Sequence, residues 1–512
     1  MGQPDFKVIR GGRVLDLEKA KPEPADILIE GDTIREIGAP GMEAPAGAVV
    51  VPADRTLLIP GLVNAHTHSH YTLAKGIAGS WTLEMLINAG SWASSNRTLD
   101  DLYLGSLLGA VEMVRKGCTA CYDMVLELPL PTVEGMTNVA RGYLDVGMRA
   151  VVAPAMADRT FWQSIPGLLD AIPTQLREAV DKVVMAPFEQ SIENCKAIIN
   201  NWPFERDLVR PAIAPTIPLL CSDPFLVAAG RLACELEVGF HTHLAESKVQ
   251  AVSAVRRYGR SLTAHLDELG LLGPNFVAAH AIWLDADDMR RLADNGASVA
   301  HNPGSNMRLG NGNAAIRDMV DAGVNVGVGT DASICSDQLN MFEAMRLATL
   351  VSRSETPDYE RWLGPADALR MATSNSARAL GFDKIGRLEA GYKADIVFLD
   401  LTDINYLPLN DAVTQVVYCE NAAAVDSVMI GGRLVLDRGR FTTIDYEGLI
   451  ARVEEAAERL AAANAGRRAE IEPLASIIGK FCVGLTREPH HVHRPAAAVT
   501  VPGSPAAGHR LT

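Results

Sequence analysis

The chain has 512 residues and a mass of 54.9 kDa, enough for two or three domains and a large buried core. Hydrophobic residues at 48 % and charged residues at 21 %, with a mean hydropathy of +0.08, exclude a disordered or fibrous chain. Lys and Arg number 47 against 62 Asp and Glu, and the net charge of −15 argues against nucleic acid or an anionic membrane as partner.

The first segment, residues 1–58, reads as strands. Phe6 to Leu15 is broken by Gly11-Gly12 and Ala25 to Ile37 by Gly31-Asp32, and both breaks carry hairpin chemistry. Met1 to Gly12 has no apolar signal core, and no apolar run nears the roughly 18–20 residues of a membrane span, so a cytoplasmic protein is expected. Residues 59–384 alternate short apolar runs with helix-like text. The runs are Leu57–Val63, Thr119–Val125, Arg149–Ala155, Ala212–Ala214, Val238–Phe240, Phe276–Ala279, Ser298–Ala300 and Val324–Val328. About eight βα units fit a (β/α)8 barrel, and a doubly wound sheet fits the alternation too.

Residues 385–445 return to strand text. Lys393–Leu399 echoes Ala25–Ile29, and Val428–Arg433 echoes Val8–Arg13, so one small β domain built from both ends of the chain is expected. Residues 446–486 read as helical. Asp445 is the expected N-cap, Leu449, Val453, Ala456 and Leu460 form one apolar face, and Gly466 is the expected stop. Residues 487–512 are rich in Pro, Ala, Gly and His, and a disordered tail is expected there, with His490, His491 and His493 solvated rather than metal-binding. Eight scattered cysteines, with a lone Cys118-x-x-Cys121, read as reduced and mostly buried thiols.

Ionisable residues gather at the C-terminal ends of the apolar runs. The first run leads into His66-Thr67-His68-Ser69-His70, and residues two apart in a strand share a face, as a chelating pair requires. The fifth leads into His241-Thr242-His243, the sixth into His280, the seventh into His301 and the eighth into Asp331. In a barrel those ends converge on one mouth, where active sites are built. Three imidazoles and a carboxylate suit Zn²⁺, Fe²⁺, Mn²⁺ or Co²⁺.

The segments Pro60–His68, His243–Glu246, Ala279-His280, His301–Asn306 and Gly329–Asp331 resemble the amidohydrolase superfamily. The branch most similar is that of the methylthioadenosine/S-adenosylhomocysteine deaminases and the triazine chlorohydrolases. The resemblance runs from about Phe6 to Leu449 and implies an α/β fold, a (β/α)8 TIM-like barrel beside a composite β-sandwich. It implies one divalent metal per chain, zinc first, held by His66, His68, His243 and Asp331. No lysine stands in the fourth run, Pro211–Thr216, where a binuclear member carries one. Metal-activated water, with Asp331 as proton acceptor, is the implied machinery. Glu246 is implied as the proton shuttle and His280 as the residue that orients the water or steadies the oxyanion. A homodimer or higher homo-oligomer is implied as well.

Two departures bear on the substrate. Nucleoside deaminases of this branch carry a ribose-holding Glu after the first strand, and Ser94 falls near its place. A substrate-contacting His after strand four is replaced in Pro215-Thr216-Ile217-Pro218. Trp81, Trp92, Phe161, Trp162 and Ile217 then suggest a flat, apolar or aromatic substrate, with Thr216, His301 and Asn306 as further substrate residues. The expected activity is hydrolytic deamination of an amino-heterocycle. Cleavage of an amide, urea or carbamate, or triazine dechlorination, is the alternative, and an inactive scaffold the remote one.

Overall fold

The computed structural model describes residues 6–17 and 21–494. Seven strands open the chain: β1 (Phe6–Arg10), β2 (Arg13–Asp16), β3 (Lys21–Pro24), β4 (Asp26–Glu30), β5 (Thr33–Gly38), β6 (Val49–Pro52) and β7 (Thr56–Pro60). Eight parallel strands follow: β8 (Leu62–Thr67), β9 (Cys118–Val125), β10 (Arg149–Met156), β11 (Val209–Pro215), β12 (Gly239–Leu244), β13 (Phe276–His280), β14 (Ser298–His301) and β15 (Asn325–Val328). Four more close the β region: β16 (Ile396–Asp400), β17 (Val425–Ile430), β18 (Arg433–Asp437) and β19 (Arg440–Phe441).

The strands β8 to β15 neighbour one another in sequence order, with helices between them, as right-handed βα connections dictate. Side chains and one main-chain bond bring β15 back to β8. The Asn64 amide donates to Thr330 Oγ1 at 2.8 Å, Thr330 N donates to Asn64 Oδ1 at 3.0 Å, and Asp331 N donates to His66 O at 2.9 Å. Gly329 permits this approach, because a Cβ there would lie 2.8 Å from His66 N and 2.9 Å from His66 O. Helices start where sequence says they should. Thr98 caps Leu99–Arg115 in a reciprocal capping box with Asp101, and Asp285 caps Ala286–Asp294 in the same way with Asp288.

Strands from both chain ends share one seven-stranded sheet, in the order β19-β18-β17-β16-β7-β2-β3. A four-stranded sheet, β5-β4-β1-β6, faces it across a core that includes Ile9, Ile27, Ile29, Leu58, Ile396 and Phe398. The apolar run Leu57–Val63 therefore divides between the two domains: β7 pairs with β16, and β8 opens the barrel. Gly31-Asp32 turns the β4–β5 hairpin as expected. Gly11-Gly12 does not make a hairpin. There β1 leaves one sheet and β2 enters the other, with Gly11 at φ +84 against Asp54.

Two expectations for the C-terminal region also change. Asp445 does cap the helix, but the helix Tyr446–Ile471 runs through Gly466, whose Cβ position is open, and a second helix spans Ala475–Thr486. Of the segment expected to be disordered, residues 487–494 pack on the barrel, with Val492 buried, while 495–512 lie outside the described residues. All eight cysteines are free thiols, six of them buried. No helix of the described residues is long and apolar enough to cross a membrane.

Candidate metal centre and active site

Four imidazoles converge at the C-terminal mouth of the barrel, and each has its Nδ1 engaged. His68 Nδ1 donates to Met124 O at 2.7 Å, His243 Nδ1 to Thr216 O at 2.5 Å, and His280 Nδ1 to Asn306 Oδ1 at 2.7 Å. His66 Nδ1 lies 3.0 Å from His241 Nε2. With Nδ1 as the donor, every Nε2 presents a bare lone pair to the centre. The Nε2 atoms of His66 and His280 are buried with no protein partner.

The spacing of these lone pairs fits a cation. His68 Nε2 and His243 Nε2 stand 3.2 Å apart with no proton to share. Asp331 Oδ1 is 3.4 Å from His68 Nε2 and 3.7 Å from His66 Nε2. Four ligands about 2.0–2.1 Å from a tetrahedral zinc lie about 3.3 Å from one another. The donors of His66, His68 and Asp331 lie within 4.8 Å of one another, as do those of His66, His243 and His280, and imidazoles with a carboxylate suit a divalent first-row metal. Burial and the crowding of like rings hold the His66 imidazole well below its ordinary pKa, and His243 down at about 3, so both stay neutral.

Two carboxylates here are driven in opposite directions. Burial pushes Glu246 well above the usual carboxyl range, and the Asp331 and Glu84 carboxylates add to it, against one hydrogen bond from Asn311. Burial also acts on Asp331, but this carboxyl sits against the His280, His68 and His243 rings, whose charge when protonated pulls it below its ordinary value. Burial and charge thus push the two carboxyls in opposite directions, the kind of separation that acid–base chemistry uses. Glu246 Oε1 accepts from Asn311 Nδ2 at 3.0 Å and lies 3.7 Å from His280 Nε2, and Glu246 Oε2 has no partner. Asp331 Oδ2 is also 3.7 Å from His280 Nε2. Ala245, His280 and Asp331 all have positive φ, at 45°, 69° and 60°, a strained backbone worth about 1–3 kcal/mol each that aims these strand ends inward.

A cavity of about 330 Å³ opens onto His68, His243, Glu246 and Asp331. Its walls are largely aliphatic and aromatic: Leu83, Leu86, Leu126, Met156, Phe161, Trp162 and Ile217. Of the residues singled out in the sequence, Thr216 and Trp162 line it, and so does Ser94. Trp81 and Trp92 do not. They pack with Leu83, Leu86 and Leu309 beneath the loop, and the Arg468 guanidinium lies 4.8 Å from the Trp92 ring. His301 and Asn306 are buried behind the cavity rather than on it. Asn306 orients His280, and burial holds His301 at about 3.

Sequence reasoning missed four contributors. Asn311 holds Glu246, Gln250 Oε1 accepts from Glu246 N at 3.0 Å, and Ser247 Oγ donates to buried Glu84 at 2.7 Å. The fourth is the outer wall, supplied by Arg467, Ile471 and Leu474 of the C-terminal region. A helix stop placed at Gly466 hid that wall.

The chain is 31 % identical over 444 residues to a 5-methylthioadenosine/S-adenosylhomocysteine deaminase of Syntrophomonas wolfei, covering 86 % of this chain and 95 % of the relative. It is 32 % identical over 455 residues to a 5′-deoxyadenosine deaminase of Methanothermobacter thermautotrophicus, covering 88 % and 98 %. Among solved structures, an adenosine deaminase from Xanthomonas campestris with bound zinc superposes with a TM-score of 0.77 at 26 % identity, covering 90 % of this chain and 99 % of that one. A zinc complex of an atrazine chlorohydrolase from Arthrobacter aurescens superposes with a TM-score of 0.79 at 25 % identity, covering 88 % and 99 %. The model of the amidohydrolase family matches residues 57–435, the span that carries the convergent histidines and both carboxylates, and the chain belongs to that family.

Proposed function

We propose that this protein is a hydrolytic deaminase of an amino-heterocycle, with His66, His68, His243 and Asp331 holding one divalent metal, zinc first. The observation that carries the reading is geometric: the Glu246 and Asp331 carboxyls each lie 3.7 Å from His280 Nε2, beside the bare Nε2 atoms of the other histidines, and burial raises the Glu246 carboxyl. The chemistry such a cation supplies is acidification of a water molecule, from about 15.7 to about 7. Asp331 accepts a proton at its carboxylate. Glu246 gives its proton to the ring nitrogen, takes up the proton of the newly added hydroxyl as the carbonyl forms, and passes that one to the departing nitrogen, so that ammonia leaves as the C–N bond breaks; the proton taken by Asp331 then restores Glu246. His280, fixed by Asn306, steadies negative charge that develops on oxygen.

The largely apolar cavity favours a flat ring with an apolar substituent, while Ser94, Glu127, Arg159 and Thr216 on the same wall leave polar partners for a hydroxyl-bearing group. The relatives named as deaminases of adenosine-type compounds support the ring class. The test is ammonia release by the zinc-loaded enzyme from adenosine derivatives, other aminopurines, pterins and aminotriazines, with aryl amides and ureas followed in parallel. Ammonia from a heterocycle supports the reading. An amine from an amide or urea, with no ammonia from any heterocycle, replaces it. A cytoplasmic homo-oligomer is part of the same proposal, and light scattering of the purified protein tests the oligomer.

A further inference from the structure

We infer that the C-terminal segment His490–Arg494 is a strap that positions Glu246, acting through Trp283 and Asn311. Beyond β13 the chain runs from Ala281 to Asp285 across the barrel mouth. Its inner side is tied to the Glu246 turn: Ala281 N donates to Leu244 O, and Trp283 N to Ala245 O, both at 3.0 Å. The Trp283 indole N–H donates to Asn311 O at 2.9 Å, and Asn311 N donates to Asn306 O at 2.8 Å. With its main chain held at both ends, Asn311 directs Nδ2 to Glu246 Oε1 at 3.0 Å.

The outer side of the same run is held by the strap. Arg494 Nε donates to Ile282 O and its Nη2 to Leu284 O, each at 2.7 Å, so one guanidinium grips the carbonyls on both sides of Trp283. His491 Nε2 is 2.8 Å from Asp285 Oδ2, Val492 is buried, and the His490 ring meets the Trp283 ring edge-on. Gly312, next to Asn311, fits between Arg494 and Trp283: a Cβ there would touch Arg494 Cβ at 3.4 Å and Trp283 Cζ2 at 3.5 Å. A planar guanidinium bound to two carbonyls fixes two peptide planes, and those planes set the indole direction. Arg494 lies off the cavity wall, so the strap acts on the geometry of proton transfer and not on substrate contact. It also lies beyond residue 435, where the family match ends.

The inference rests on Glu246 as the proton carrier, and the experiment separates the two. Arg494→Ala is expected to lower kcat about 10-fold with KM within about 2-fold, since small misplacements of reacting groups are costly. Arg494→Lys recovers part of the loss. In an Asn311→Ala background, Arg494→Ala adds little, because both act along one chain of contacts. Independently of turnover, amide exchange in Arg494→Ala rises over residues 281–285 and 309–313 and stays unchanged in the other barrel strands. Glu246→Gln is assayed alongside, on the best substrate of the panel above. If it abolishes turnover while Arg494→Ala leaves kcat and exchange at wild-type values, the strap is overturned and Glu246 keeps its role. Additive losses in the double variant also overturn the strap. If Glu246→Gln keeps full turnover, the proton-carrier reading falls, and unchanged exchange at 309–313 in Arg494→Ala removes the strap with it.

Discussion

Glu246 and Asp331 are both carboxylates in the same buried mouth, and their neighbours push them in opposite directions. Asp331 sits among three imidazoles, whereas Glu246 has one imidazole, His280, at 3.7 Å, a single amide donor and the Asp331 and Glu84 carboxylates near it. Glu246→Gln keeps the shape and the Asn311 contact but cannot shuttle a proton. It is expected to lose about 10²–10⁴-fold in kcat with metal content retained, read by steady-state kinetics and metal analysis. Asp331→Ala would remove the proposed ligand and proton acceptor together, so metal content is expected to fall along with turnover, read by the same two measurements. A third carboxylate, Glu355, tests the same physics away from the site. Burial pushes it up to about 8, with Asp318 adding and Arg494 and Arg361 opposing, and its Oε1 is buried without a partner. A folded-state pKa raised above the unfolded value means stability that is full below about 4.5 and is lost as pH rises through about 8. Glu355→Gln should therefore gain on the order of 1 kcal/mol or more over wild type at pH 8.5 and little at pH 5, measured by denaturant unfolding at both pH values.

At the scale of elements, strands were legible because each apolar run is short, ends in polar residues and alternates with helix-like text. Thr98 and Asp285 announce their helices locally, and the structure places them as N-caps. The Gly-Gly pairs show where local text stops being enough. Gly431-Gly432 joins β17 to β18 in a hairpin, while the similar Gly11-Gly12 lets the chain switch sheets, because β1 finds β4 and β6 as partners instead of β2. Gly466 is a second case. A helix tolerates an interior glycine at about 1 kcal/mol, and burial of Ile471 and Leu474 farther on offsets that cost. Those two side chains also bound the cavity. Ile471→Ala and Leu474→Ala are expected to raise KM about 5- to 50-fold for substrates with an apolar substituent, and far less for the unsubstituted ring, as steady-state kinetics on matched pairs would show.

Across the whole molecule, one buried ion pair joins the barrel to the sandwich. Arg149, at the start of β10, donates from Nε to Asp395 Oδ2 at 2.9 Å and from Nη2 to Asp395 Oδ1 at 3.3 Å, just ahead of β16. Both side chains are 1 % exposed. Asp395 also accepts from Gly431 N at 2.7 Å, and Arg149 Nη1 donates to Asp207 O at 2.6 Å. Arg149→Met would leave a buried carboxylate with only the main chain to satisfy it, and a loss of about 3–5 kcal/mol in unfolding free energy is expected. Replacement of both partners by apolar residues should cost less than the single change, and denaturant melts of the three variants would show it.

The sequence by itself determined the strand and helix order, the donors at the strand ends and the family, because these are encoded in local periodicity and in short motifs with fixed spacing. Only the tertiary structure decided which lone pairs converge at the barrel mouth, which carboxyl is pushed up and which down, that Trp81, Trp92, His301 and Asn306 stand off the cavity wall, and that residues 467–474 and 490–494 pack near the mouth. Each of those depends on groups tens to hundreds of residues apart meeting in a water-poor interior, where one hydrogen bond or one neighbouring charge sets a tautomer or a proton.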